Sequence, residues 1–268
     1  MVQSQSRAPG EKVALITGTS GGIGLAAGVA LIRAGYRVFG TTRQAKAGEV
    51  RQGIHMLRCD VTDDESVKLL VKDVIGLAGR IDVLVNNAGR SLIGAAEESS
   101  IDQAQSLFDI NVFGILRTTK EVLPIMRKQR SGRIINISSV AGFLPGPYTA
   151  LYNATKHAVE GYSESLDHEL RTFGIRVSLI EPVFTRTGLG DHGDQPDQIL
   201  SVYDKGRAAA NTTWRNGVAE KVVKAATDKE PTLRYTPGKM AGRLRLMRRF
   251  IPEKAFDKSF RKQMGVAD

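Results

Sequence analysis

Short apolar runs rich in valine and isoleucine recur along this chain with stretches of helical period between them, and that alternation limits the fold more than any other feature. The runs are VALITG (13–18), YRVFGTT (36–42), IHMLRCD (54–60), IDVLVNN (81–87), GRIINIS (132–138) and GIRVSLIEP (174–182). Between them the spacing predicts helices over 22–35, 63–78, about 103–129 and about 149–173, the first closed by Gly35 and the second capped by Thr62 or Asp63. Strands this continuously apolar need cover on both faces, which the crossover helices of a parallel sheet supply. The pattern predicts an α/β fold: a single doubly wound, Rossmann-like domain, with a parallel sheet of about seven strands and helices on both faces.

No internal repeat, low-complexity block or Pro/Ser-rich linker divides the 268 residues, a length that one domain can fill. Residues 1–10 are polar and read as a disordered arm, leaving 11–268 as the domain. Within it, 183–215 has weak periodicity and several Gly and Asp, which predicts a segment covering a substrate cleft. Neither a secretory apolar region nor a membrane-spanning run is readable, and a lone cysteine, Cys59, agrees with a reducing compartment. The chain reads as soluble and cytoplasmic.

TGTSGGIG lies between the first strand and the first helix. Glycines there let backbone approach a pyrophosphate, and the helix that follows offers free N–H groups and a positive dipole end. Gly18, Ser20, Gly21, Gly22, Ile23 and Gly24 are therefore candidate cofactor contacts, the alternative being a tight turn with no ligand. A P-loop is excluded because no Gly-Lys-Ser/Thr follows. Ligands of open α/β sheets bind outside the carboxyl ends of strands. Those ends carry Thr42 with Arg43, Asp60 with Val61, and Asn87, Ala88 and Gly89. A carboxylate after the second strand would suit a ribose diol. Arg43 instead matches a 2′-phosphate, which favours NADP over NAD, unless it is simply a solvated loop cation.

YNATK, thirteen residues after the serine that closes NISS, places Tyr152 and Lys156 four apart on a helix, so both can face one cleft. A tyrosine of ordinary pKa is a poor base at neutral pH. An ammonium a few ångströms away favours the phenolate by on the order of 4 kcal/mol, or up to roughly three pKa units before desolvation opposes it. Ser139, at the end of a central strand, can donate its hydroxyl to a substrate oxygen as charge develops there.

TGTSGGIG, CDVTD, NNAG, Asn111, ISS with Ser139, YNATK and EPVFTRT, in this order, resemble the short-chain dehydrogenases/reductases across residues 12 to about 190. The resemblance is to carbonyl-reductase and hydroxysteroid-dehydrogenase-like members. It implies an NAD(P)-dependent oxidoreductase that interconverts a carbonyl and an alcohol. In it the serine orients the carbonyl, the tyrosine is general acid/base, and the lysine lowers the tyrosine pKa and holds the nicotinamide ribose. These roles fall to Ser139, Tyr152 and Lys156, and a water-mediated proton relay falls to Asn111. The resemblance also implies a homo-oligomer, dimer or tetramer. A nucleotide-binding sensor or scaffold without turnover, and an epimerase or dehydratase of the same superfamily, are the alternatives.

Two positions depart from the family pattern. Pro182 is followed by Val183 where glycine is usual, so the grip on the cofactor carboxamide rests on Thr187 and the backbone near Thr185. Gly21 stands where NADP-preferring members often carry Lys or Arg, which leaves phosphate recognition to Arg43 with Ser20 and Thr42. Phe143, Leu144, Leu189, Tyr203 and Trp214 stand where a pocket can be lined and hint at an apolar substrate, although each is equally suited to the core. The four histidines, His55, His157, His168 and His192, show no metal-ligand spacing. No Gly-x-Ser-x-Gly elbow argues for a hydrolase.

The formal net charge of +10 is concentrated at the end of the chain: Arg234 to Lys262 holds ten Lys/Arg against Glu253 and Asp257. A near-neutral body with a basic tail argues against nucleic acid. Residues 242–264 predict two amphipathic helices broken by Pro252, with Leu244, Met247 and Ile251, then Phe256, Phe260 and Met264, on their apolar faces. Either those faces cover the cleft or a neighbouring subunit while Arg and Lys stay in water, or the tail attaches to an anionic membrane surface.

Overall fold

In the computed structural model residues 11–183, 215–252 and 255 are described. The expected arm at 1–10, all of the expected cover except Val183 and Arg215, and the second tail helix apart from Ala255 lie outside the described residues, as do Thr185, Thr187, Leu189, Tyr203 and Trp214.

Eight strands form one sheet: β1 (Lys12–Ile16), β2 (Tyr36–Thr42), β3 (Val50–Arg51), β4 (Ile54–Arg58), β5 (Val83–Asn86), β6 (Gly132–Ile137), β7 (Ile175–Ile180) and β8 (Arg234–Tyr235). Their order is β3-β4-β2-β1-β5-β6-β7-β8. Every pairing is parallel except β3 with β4. The expected parallel sheet of about seven strands is thus one of eight with an antiparallel edge. β3 escaped prediction because two residues, one of them charged, carry no period.

The helices are α1 (Gly22–Arg33), α2 (Asp64–Ala78), α3 (Ile101–Phe108), α4 (Gly114–Gln129), α5 (Ala150–Leu170), α6 (Arg215–Thr227) and α7 (Gly238–Phe250). Asp63 caps α2 by accepting from the Ser66 N–H at 2.8 Å. The helix expected over 103–129 is two, α3 and α4, joined by a π-helical turn at Asp109–Phe113. The apolar period runs on through that turn, so sequence alone does not reveal it.

Alternate strand residues feed opposite faces. Val13, Leu15 and Leu84 pack with Val67, Leu70 and Val74 of α2, Val122 and Met126 of α4, and Leu166 of α5. Ala14, Ile16 and Val85 pack with Ala27 and Leu31 of α1 and Val218 and Val222 of α6. Each fully buried Leu or Ile contributes about 1.5–3 kcal/mol, so the two faces together outweigh any single polar contact. A buried polar ladder crosses the sheet's middle. Asn86 donates to Asn136 at 2.9 Å, Asn136 to Ser163 at 2.8 Å, and Thr118 to Asn86 at 2.7 Å.

The strand order reverses on either side of β1, so the crevice between the carboxyl ends of β1 and β5 is the place where such a sheet takes a ligand.

Candidate active site

At that crevice the glycine turn and the segment after β5 are bonded into one surface. Thr17 Oγ1 accepts from the N–H groups of Asn87 and Ala88, both at 3.0 Å. Asn87 Nδ2 returns two bonds, to the carbonyls of Thr17 (3.0 Å) and Gly18 (2.8 Å). The approach is too close for side chains. Gly18 has φ +71, and a Cβ on Gly24 would lie 2.3 Å from the Gly18 carbonyl oxygen. A Cβ on Gly21 would meet nothing within 4 Å, so the outer lip of the turn is open.

Around this lip stand the other predicted contacts. Thr42 ends β2, and Arg43 is exposed beside it. Arg51, on the unpredicted β3, donates to the Ser20 carbonyl at 3.1 Å and is held by Glu49 at 2.8 Å, which puts a second guanidinium against the turn. Asp60 accepts from the N–H and hydroxyl of Thr62 at 3.0 and 2.7 Å. Burial raises the Asp60 carboxyl, but these bonds and the charges of Arg43 and Arg117 outweigh it and hold the carboxyl below its usual range. Val61 is buried beneath, against Gly114.

The second group lies at the end of β6. Lys156, one turn beyond Tyr152 on α5, is buried and donates to the Ile137 carbonyl at 2.8 Å, with its ammonium 5.6 Å from the centre of the Tyr152 ring. Burial lowers Lys156 to about 8, against an opposing pull from Glu160. Two residues after Ile137, Ser139 is half-buried, accepts from the Ala141 N–H at 3.2 Å and donates to the Pro182 carbonyl at 3.5 Å. Ser138 is fully buried instead.

Asn111 sits in the π turn and is 1% exposed. Its Oδ1 accepts from the Arg90 N–H at 2.9 Å, and its Nδ2 donates to the Arg90 carbonyl (2.9 Å) and to the Thr155 hydroxyl (3.1 Å). The amide therefore ties the strand end after Gly89 to the helix of Tyr152 and Lys156. A Cβ on Gly89 would lie 2.9 Å from Asn111 Oδ1, so that residue too is small because of its neighbour.

Sequence reasoning missed a charged cluster behind the site. Glu181, at the end of β7 and before Pro182, is fully buried and bound by Arg245 of α7 at 2.5 and 2.7 Å. Arg234 of β8 reaches Glu181 at 3.3 Å, Glu160 at 3.1 Å and Glu164 at 2.9 Å. Only Glu160 carried a readable signal, being four residues after Lys156 and so on its face of the helix. Tyr148, four before Tyr152, was also missed. It has φ +59, a conformation an aromatic residue adopts only under constraint, and its carbonyl accepts from Gly94 at 2.9 Å. The tail departs from expectation in the same place: Arg245 is turned inward and stacks over Phe143 at 5.6 Å, whereas cations were expected to stay in water.

The sequence matches the short chain dehydrogenase family over residues 12–197. The chain belongs to that family. It is accordingly an oxidoreductase with the family's α/β fold. It is 36% identical over 232 residues to an uncharacterized oxidoreductase of Schizosaccharomyces pombe, covering 84% of this chain and 98% of that protein. It is 42% identical over 181 residues to 3-ketodihydrosphingosine reductase of Bacteroides thetaiotaomicron, covering 68% of this chain and 66% of that one. Among solved structures, a short-chain dehydrogenase/reductase of Burkholderia phymatum in complex with NAD superposes with a TM-score of 0.78 at 26% identity, over 90% of this chain and 94% of its own. A gluconate 5-dehydrogenase of Burkholderia cenocepacia in complex with NADP and tartrate gives 0.73 at 26%, over 86% and 94%. Among the described residues no helix is long and apolar enough to cross a membrane.

Proposed function

We propose that this short-chain dehydrogenase interconverts a carbonyl and an alcohol by hydride transfer with a nicotinamide dinucleotide, using NADP in preference to NAD. The observation that carries the reading is the buried Lys156 one helical turn from Tyr152, at the strand end that bears Ser139. A binder without turnover has no use for a tyrosine beside a buried cation.

The crevice fits the cofactor. Positive φ at Gly18 and the tight Gly18–Gly24 approach leave backbone N–H groups at the start of α1 with no side chain in front of them, as a pyrophosphate requires. Arg51 is already bonded to the Ser20 carbonyl and Glu49, so the exposed Arg43 after β2 is the guanidinium offered to a 2′-phosphate. A bound nicotinamide supplies or accepts the hydride. The chain's own groups manage the oxygen and its proton. Tyr152 gives a proton to the developing alkoxide or takes one from the alcohol, Ser139 donates to the same oxygen, and Lys156, still mostly charged at pH 7, stabilises the phenolate. Asn111 holds the strand end and α5 in register for that exchange.

The substrate class we infer is apolar. Phe143 follows the serine segment and is partly exposed, whereas Leu144 is buried in the core, and a relative sharing 42% identity is named for a 3-ketodihydrosphingosine. The test is to follow nicotinamide absorbance with NADPH and NADH against apolar ketones and aldehydes. Turnover favouring NADPH supports the reading; tight NADPH binding with no turnover across the panel favours the sensor instead.

A further inference from the structure

Eight large apolar side chains are exposed among the described residues, and three of them, Leu246, Met247 and Phe250, belong to α7. At 100° per residue these three fall in one sector of the helix together with Lys239 and Arg243, both exposed, while Ala241 and Arg245 point the other way. One of the helix's five cations, Arg245, is turned onto Glu181, and its outer side is apolar with the exposed Lys239 and Arg243 set among the apolar groups. Phe250 is 72% exposed and Leu246 59%, a large apolar cost for a helix that no described element covers on this side.

We propose that the outer face of α7 is a docking surface for an anionic phospholipid bilayer. Charge selects this occupant. Lys239 and Arg243 lie on this face and Gly238–Phe250 holds no carboxylate, so the face complements a negative surface. A second copy seated on it would set Lys239 and Arg243 against their own equivalents. Apolar side chains flanked by Lys and Arg are what an interfacial helix needs, the former entering the acyl boundary and the latter meeting phosphates. The anchoring is rigid. Arg245 binds both oxygens of Glu181, and the next residue, Pro182, takes the Ser139 hydroxyl, so the inner side of the docked helix is fixed at the serine end of the crevice.

The full chain is to be sedimented with vesicles of phosphatidylcholine alone and with vesicles in which about a third of the lipid is phosphatidylglycerol. Capture is expected on the anionic vesicles, declining as salt screens the surface. Arg243→Glu and Phe250→Asp, both at exposed positions, are expected to lower capture at least tenfold, with an unchanged circular dichroism spectrum and melting temperature. Equal capture by neutral vesicles, no capture by anionic ones, or full capture of both variants would overturn the proposal. So would a dimer of the wild type that Phe250→Asp dissociates, since the face would then belong to a second copy. Vesicle capture is read without turnover, so this proposal and the redox reading fail separately.

Discussion

Arg245 of the C-terminal helix holds both oxygens of Glu181, a carboxylate with no exposure of its own, at the strand end that leads into Pro182. Burial, and then the neighbouring Glu160, raise Glu181 to about 7, against the pull of Arg245 and Arg234. A carboxyl whose folded pKa exceeds its unfolded value keeps a proton that the unfolded chain has released. The stability it contributes is full at and below the unfolded pKa of about 4.5 and is lost as pH rises toward 7. Urea unfolding of the wild type and of Glu181→Gln is expected to show a stability difference that falls by about 3 kcal/mol across that window and is flat above it. Asp60 and Asp167, held low, act in the opposite sense at lower pH, and subtracting the variant removes them.

Arg245→Met leaves Glu181 with Arg234 as its remaining cation. Because the Arg245 side chain is 38% exposed, the loss is smaller than for a wholly buried pair, about 2 kcal/mol at pH 8. At pH 6 the carboxyl takes a proton and the loss shrinks. Chemical unfolding at the two pH values checks this, and an equal loss at both would contradict it.

Tyr152→Phe removes the phenol hydroxyl beside Lys156 and keeps the ring. Turnover is expected to fall by roughly 10²–10⁴-fold while the NADPH dissociation constant stays within about twofold. Paired stopped-flow and fluorescence titrations separate the two effects.

Glu160→Gln deletes the one charge that supports the Lys156 ammonium against burial. The lysine then loses its proton at lower pH, and the alkaline limb of kcat/KM is expected to move down by about one unit. An unmoved limb would mean that Lys156 does not set it.

Gly24→Ala places a methyl 2.3 Å from the Gly18 carbonyl oxygen and 2.5 Å from Asn87 Nδ2, so backbone must shift. About 1–3 kcal/mol of stability and more than tenfold in cofactor affinity are expected to go with it. Gly21→Ala, in open space, is expected to change neither. Thermal melts and cofactor titrations of the two variants side by side form the check.

The fold was readable because a sheet buried on both faces makes its strands continuous apolar runs, and those from Val13 to Glu181 stand out for that reason. Tyr152, Lys156 and Ser139 were readable because helical spacing and a strand end fix their directions before any contact is known. What sequence did not carry is tertiary. The π turn around Asn111 shares its neighbours' apolar period, and β3 is too short to have one. Arg234 and Arg245 look in sequence like any of the ten tail cations, and only the fold brings them to Glu160 and Glu181.

The amide ladder through Asn86, Asn136 and Ser163 has a meaning for assembly as well as for the finished molecule. β5 and β6 meet with Asn86 opposite Asn136. A strand arriving one residue out of step turns its amide to the other face and strands both partners in the dry interior, at about 1–3 kcal/mol for each unmet group. Parallel strands meet only after long crossovers have closed and are slow to find their places. A mispaired β5–β6 intermediate therefore dissolves and tries again, and the ladder works as a proofreader of strand pairing.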